Sequence, residues 1–266
     1  MVGESRAAAR PAAARASAES SIVISGVHHV FGDVAALDGI DLSVREHSRL
    51  GIVGPSGCGK STLLSLIAGL LEPTSGRISI GPGGSADERL ARCALMPQRD
   101  LLMPWRTALD NACIALENRG VARRAARERA RPLFERFGLA EFEDKSPAQL
   151  SGGMRQRVAF LRTLMPQKDV LLLDEPFGAL DSITRAQMQE WLVGALELEP
   201  RTVLLVTHDV DEALLLSDHV AVMSARPGRI VRHIETGFAR DVPRREIVTS
   251  AAFGSLKEQA LEALEE

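Results

Sequence analysis

Residues 54 to 62 read Gly54-Pro55-Ser56-Gly57-Cys58-Gly59-Lys60-Ser61-Thr62, a run that satisfies G-x-x-x-x-G-K-S/T. The pattern carries weight where a strand runs in and a helix runs out. Leu50-Gly51-Ile52-Val53 supplies the apolar strand, and Lys60 opens a periodic apolar stretch that lasts to Leu71. The residue types then dictate the chemistry. Glycines let the backbone curl until successive N–H groups point at one centre, and the helix that follows adds its positive end. Such a cradle suits a phosphate chain. Lys60 is placed to meet β- and γ-phosphates, and the Ser61 hydroxyl to ligate Mg²⁺, a hard ion that takes oxygen ligands.

The remaining texture fits an α/β fold with an antiparallel β lead-in and an inserted α-helical subdomain. Residues 21–44 read as short strands, with apolar alternation in Ile22-Val23-Ile24 and from Ile40 to Val44. Residues from about 100 to 166 hold helical apolar spacing, no buried strand, and an arginine-rich segment that reads as a solvated helix face. Val170-Leu171-Leu172-Leu173 and Val203-Leu204-Leu205-Val206 are uninterrupted apolar runs, as expected of parallel strands covered on both faces. The expected organisation is a disordered tail over 1–20, a nucleotide-binding domain over 21–235, and a C-terminal tail over 236–266. In that tail Phe253, Leu256, Ala260, Leu261 and Leu264 predict one amphipathic helix.

Composition narrows the function classes. With 266 residues and 45% hydrophobic content, the chain can bury a sizeable core. Its longest nearly apolar run, Leu63 to Leu71, is nine residues, against the roughly 20 needed to span a bilayer. A net charge of −3 argues against nucleic acid as the main partner. Three cysteines without a C-x-x-C pair fit a reducing compartment. The first twenty residues are rich in Ala, Arg and Ser without the apolar core of a secretion signal, and Glu4 and Glu19 argue against a transit peptide.

Two carboxylates, Asp174 and Glu175, end one buried run, at the strand edge where α/β sheets place ligands. Asp174 is expected to hold Mg²⁺ directly or through water, and Glu175 to orient or deprotonate the attacking water. Thr207-His208-Asp209 ends the second run, so His208 reaches the same edge, where it can donate to a γ-phosphate. Gln98, beyond the strand-like Arg92 to Met96, is a candidate for Mg²⁺ and for the attacking water.

Leu150-Ser151-Gly152-Gly153-Met154-Arg155-Gln156-Arg157 opens another helical pattern, with Ser151 as its N-cap and two glycines baring the backbone. Here the chain resembles the ABC ATPases, whose LSGGQ signature closes over nucleotide held by the other subunit. Met154 stands where that motif usually has Gln. The resemblance implies a P-loop NTPase core with ATP and Mg²⁺. It assigns Gln98 to the Q-loop, Asp181 in Gly178-Ala179-Leu180-Asp181 to the D-loop, and His208 to the switch. Phe31 takes the place of the aromatic, more often Tyr, that stacks on adenine; the chain has no tyrosine, and a phenyl face serves. The elements occur in family order from about Ser21 to Ile234.

The same resemblance implies a homodimer in which Gly54 to Thr62 of one copy and Ser151, Gly152 and Gly153 of the other enclose one ATP. It also implies peripheral attachment to the cytoplasmic face of the membrane, through a separate permease served by an external substrate-binding protein. The segments Leu101 to Asn111 and Ala225 to Ile230 are similar to stretches in importers of nitrate, sulfonate, taurine and bicarbonate. Trp105 then either anchors a permease helix or packs inside the helical lobe. A soluble ABC ATPase acting on DNA or ribosomes shares these motifs, but such proteins usually add a long coiled coil or a second nucleotide domain. A small-molecule kinase or GTPase shares only the phosphate loop and leaves Leu150 to Arg157 without a role.

Overall fold

A computed structural model describes residues 20–178, 180–198, 200–239 and 242–265. The expected disordered tail therefore falls, up to residue 19, outside the described residues, as does Ala179.

The two longest strands, β1 (Ser20–Phe31) and β2 (Val34–Arg45), form an antiparallel hairpin. They are single long strands with irregular register, where the sequence suggested several short ones. β1 also pairs with β4 (Ser75–Ile80), giving a three-stranded sheet of order β2-β1-β4. The second sheet contains β3 (Arg49–Val53), β5 (Cys93–Met96), β6 (Val170–Asp174), β7 (Thr202–Thr207), β8 (His219–Met223) and β9 (Ile230–Glu235). Its order is β5-β6-β7-β3-β8-β9, parallel except for the β8–β9 pair. Every residue of β3, β6 and β7 is buried, the reason their sequences are apolar without alternation.

Helix α1 (Lys60–Ile67) buries Leu63, Leu64, Leu66 and Ile67 in a core shared with both sheets. Ser61 on its outer side is exposed, and Leu70, beyond the helix end, is 55% exposed, so only part of the nine-residue run belongs to the core. α2 (Ala86–Arg92) is a short capped helix before β5, closed by a capping box of Ser85 and Glu88. Residues 100–166 carry α3 (Ala108–Asn118), α4 (Arg123–Arg136) and α5 (Gly152–Leu164), with 3₁₀ turns at Ala140–Phe142 and Pro147–Gln149.

Phe137 and Phe160 from this helical region meet Trp191 of α6 (Ser182–Leu198) at ring separations of 4.0 Å and 6.0 Å, joining the helices to the main core. α7 (Val210–Leu216), α8 (Arg244–Val248) and α9 (Ala251–Glu265) share a third core with β8 and β9. The C-terminal stretch thus holds two helices where periodicity announced one. α8, at five residues, spans little more than a turn and cannot display a period.

Candidate nucleotide-hydrolysis site

Strand order assembles the site. Val53 pairs with Thr207, Asp174 with Val206, and Met96 with Leu173, so the C-terminal ends of β3, β7, β6 and β5 lie side by side. Because these strands are parallel, the loops they release, carrying 54–62, Glu175, His208 and Gln98, all leave from one edge.

The loop from Gly54 to Thr62 wraps the start of α1. Gly59 caps the helix at φ 106° with no side-chain cap, and the first turn contains no acid, so the leading N–H groups keep their positive field. A Cβ on Gly59 would lie 2.9 Å from the Ala36 carbonyl, which leaves glycine as the residue that fits. Pro55, Ser56 and Gly57 are exposed, whereas Cys58 is buried beneath the loop. Lys60 is only 7% exposed, and its Nζ donates to the carbonyls of Gly54 at 2.6 Å and Pro55 at 3.0 Å.

Asp174, 6% exposed, hydrogen-bonds Ser61. Burial raises its carboxyl above the usual range; Ser61 and Lys60 oppose the rise, and the charge of Glu175 adds to it. A serine hydroxyl beside a buried carboxylate is a hard-oxygen pair of the kind that suits Mg²⁺ together with phosphate oxygens and water.

Glu175 stands in the left-handed region at φ 47°, rare for a residue with a Cβ. Its N–H donates to the Val206 carbonyl at 2.8 Å, which holds the kinked backbone against β7. Its carboxylate is shared. Gln98 Nε2 donates to Oε2 at 3.0 Å, while His208 Nδ1 lies 3.3 Å from Oε1. Gln98, Glu175 and His208 therefore form one cluster, with His208 still 62% exposed on its outer side.

The remaining predicted residues lie on other elements of the fold. Phe31 is 50% exposed at the tip of the β1–β2 hairpin, with the His29 ring edge-on at 4.5 Å. Ser151 caps α5 by accepting from Met154 N at 3.2 Å, and Ser151 and Gly152 face solvent. Gly153 approaches Leu180, and Gln156 donates to the Pro176 carbonyl at 3.1 Å, so α5 rests on the turn that follows Glu175. Asp181 accepts from Ile183 N and Thr184 N, which caps α6 and holds its carboxyl below the usual range.

Three participants carried no assigned role in the sequence. Gly228 packs so closely on the phosphate loop that a Cβ would sit 2.2 Å from the Cys58 carbonyl, and its backbone bonds to Ala36 and Asp38 brace that loop. Its place in Pro227-Gly228 was the available signal, since that dipeptide marks close turns. Asn111, fully buried, accepts from Met103 N and donates to the carbonyls of Met103 and Thr107, pinning the loop that bears Trp105. Trp105 itself is 78% exposed, which removes the reading in which it packs inside the helical lobe. Glu212 accepts from the Thr207 hydroxyl directly behind His208.

A phosphate cradle, a serine–carboxylate pair and a second carboxylate at one edge of a parallel sheet define a nucleoside-triphosphate hydrolase. The family model described as ABC transporter matches residues 37–178. Taurine import ATP-binding protein TauB of Rhizobium johnstonii is 43% identical over 230 residues, 85% of this chain and 87% of that protein. Aliphatic sulfonates import ATP-binding protein SsuB 1 of Rhodococcus jostii is 45% identical over 239 residues, 90% of this chain and 91% of that protein. Among solved structures, a dimeric ATP-binding cassette in a post-hydrolysis state with ADP and Pi superposes with a TM-score of 0.75 at 30% identity, covering 82% of this chain and 100% of that one. The chain belongs to the ABC transporter family, as an ATP-hydrolysing subunit. Among the described residues no helix is long and apolar enough to cross a membrane.

Proposed function

We propose that this chain energises uptake of a small oxyanionic solute of the taurine, sulfonate, nitrate or bicarbonate kind, working as a homodimer beneath a separate permease on the cytoplasmic face of the membrane. The cargo class is supported by relatives named for taurine and aliphatic sulfonate import, and pairing by a dimeric cassette of the same fold. Solute selection belongs to the permease and to an external binding protein. Trp105, exposed on a loop held by Asn111, is the candidate anchor for a permease helix.

In this reading Phe31 stacks on adenine, and Gly54 to Thr62 cradle the phosphates with Lys60 on the β- and γ-groups. Ser61, Asp174 and Gln98 hold Mg²⁺, which neutralises charge on the triphosphate when bound. Glu175 orients a water molecule and draws off its proton as the water oxygen attacks γ-phosphorus and the bond to the bridging oxygen breaks. His208 donates to the γ-phosphate. Ser151, Gly152 and Gly153 of the other copy close the site with the N-terminal end of α5, whose first turn contains no acid. Asp181 lies where the two copies meet. After hydrolysis the triphosphate that joins the halves is gone, and the dimer opens.

The observation that carries this reading is the single carboxylate, Glu175, shared by Gln98 and His208 at the phosphate-loop edge. Its test is growth of a gene-deleted host on taurine, an alkanesulfonate or nitrate as sole sulfur or nitrogen source. Growth lost on one of them and restored by the wild-type gene, not by Glu175→Gln, is the expected result. Unimpaired growth on all three, together with unimpaired growth at limiting inorganic carbon, contradicts the cargo class.

A further inference from the structure

The loop after Gln98 and the turn that opens α5 are about fifty residues apart in sequence, yet α5 grips both. Arg155 Nε donates to Asp100 Oδ2 at 3.0 Å, and Nη1 of the same guanidinium donates to the Leu150 carbonyl at 2.8 Å. Seven residues on, and so on the same helix face, Arg162 donates to the carbonyls of Leu101 at 2.7 Å and Asp100 at 2.6 Å. Leu101 needs such a hold, because its backbone lies in the left-handed region at φ 44°.

The Leu150 carbonyl matters because the peptide unit is planar. Leu150 C=O and Ser151 N–H belong to one rigid group, so a donor that fixes the oxygen also fixes the direction in which the Ser151 N–H points. A planar guanidinium presents its donors as a rigid fork on separate nitrogens, so it reaches two acceptors lying in different directions, whereas an ammonium must draw both to a single nitrogen. Asp100 lies two residues after Gln98 and five before Trp105.

We propose that Arg155 is a positioning residue for the Ser151–Gly153 phosphate grip, yoking it to the loop between Gln98 and Trp105 so that both move as one body. The proposal rests on the reading in which residues 151–153 close over nucleotide held by a second copy. A displacement imposed at Trp105 is then delivered to Ser151 through Asp100, Arg155 and the Leu150 carbonyl. Without that yoke, nucleotide still binds its own loop at Gly54 to Thr62, while the opposing grip is misaimed.

The test uses the purified full-length chain, with turnover measured against ATP concentration and ADP binding measured separately. Arg155→Gln is expected to lower kcat roughly tenfold with ADP affinity unchanged, since only the closed state is impaired. Asp100→Asn, on a partly exposed loop, is expected to lower kcat by a smaller factor. Because the two residues act through one contact, the double variant falls no further than Arg155→Gln alone. Arg155→Lys, which keeps the charge but has a single nitrogen in place of the fork, lies between wild type and Arg155→Gln.

Unchanged kcat in folded Arg155→Gln, or losses that multiply in the double variant, overturns the proposal. Should Arg155→Gln fail to fold, Asp100→Asn and Arg155→Lys decide, and wild-type kcat in both overturns it equally. Ser151→Glu separates the two levels of inference. An inactive Ser151→Glu beside a fully active Arg155→Gln removes only the yoke, whereas a fully active Ser151→Glu removes the grip on which it rests.

Discussion

The ammonium of Lys60 donates to the Gly54 carbonyl 2.6 Å away, so the cation at the head of α1 is held by the first residue of its own glycine loop. The loop thereby keeps its positive charge fixed and largely out of water, ready to exchange carbonyl partners for phosphate oxygens. Hydrogen bonds to charged groups contribute about 1.5–3 kcal/mol, so Lys60→Ala is expected to weaken ATP binding roughly tenfold to a hundredfold. Titration with a fluorescent ATP analogue measures this directly. Wild-type affinity in the variant would exclude the loop as the phosphate site.

Glu212 gives the fold a pH signature. Burial pushes its carboxyl up to about 7, the Thr207 hydroxyl opposes this, and the charges of Asp209, from its own helix cap, and of Arg185 and His208 act as lesser influences. One of its oxygens has no partner among the described residues. The folded value lies above the ordinary 4.5, so the native state retains a proton that the unfolded chain releases. That contribution is fully present below 4.5 and is lost as pH rises to about 7. At 1.36 kcal/mol per pH unit the loss amounts to about 3 kcal/mol. Glu212→Gln keeps an acceptor for Thr207 without titrating, so its stability relative to wild type is expected to rise by about that amount between roughly pH 5 and pH 8. Urea denaturation across that range checks it; parallel curves contradict the assignment.

Two aromatic substitutions separate docking from packing. Phe160 is buried between Phe137, Phe177 and Trp191, and Phe160→Ala is expected to cost about 3–5 kcal/mol of stability. Trp105 is 78% exposed, so Trp105→Ala is expected to change stability by about 0.5 kcal/mol or less and to leave ATPase activity of the isolated subunit intact. Solute uptake in cells should nevertheless fall at least roughly tenfold, as for loss of a central interface aromatic. Undiminished uptake by the stable variant removes Trp105 as the permease anchor.

The legible parts of the molecule were those written in contiguous residues. Val170–Leu173 and Val203–Val206 declared themselves as buried parallel strands because no polar residue interrupts them, and the phosphate loop because glycine, lysine and serine recur at fixed offsets. The grouping of Gln98, Glu175 and His208 followed from strand ends and family order, and a hydrogen bond from Gln98 and a 3.3 Å contact from His208 join them at Glu175. Backbone geometry was not legible. Glutamate has no preference for positive φ, and Glu175 adopts it because the Val206 carbonyl holds its N–H.

Long-range pairings were also hidden. Nothing in Arg155 announces Asp100, 55 residues away, and nothing in Asn111 announces the carbonyls it collects. Periodicity found α9 but misplaced part of its buried face. Phe253 and Ala260 are buried as expected, whereas Leu261 is exposed and Ala263 buried, since α9 packs on α7 and β9 through small residues.

The central claim, that two copies of this chain enclose ATP between the loop of one and the Ser151–Gly153 turn of the other, is tested most directly by the mass of Glu175→Gln in solution with saturating Mg²⁺ and ATP. Removing the carboxylate that draws the proton from water should stop turnover without loosening the closed state. Light scattering is then expected to report twice the 28.7 kDa protomer with ATP and the protomer mass with ADP. A variant that binds ATP tightly, does not turn it over and still scatters as a single protomer would contradict the claim.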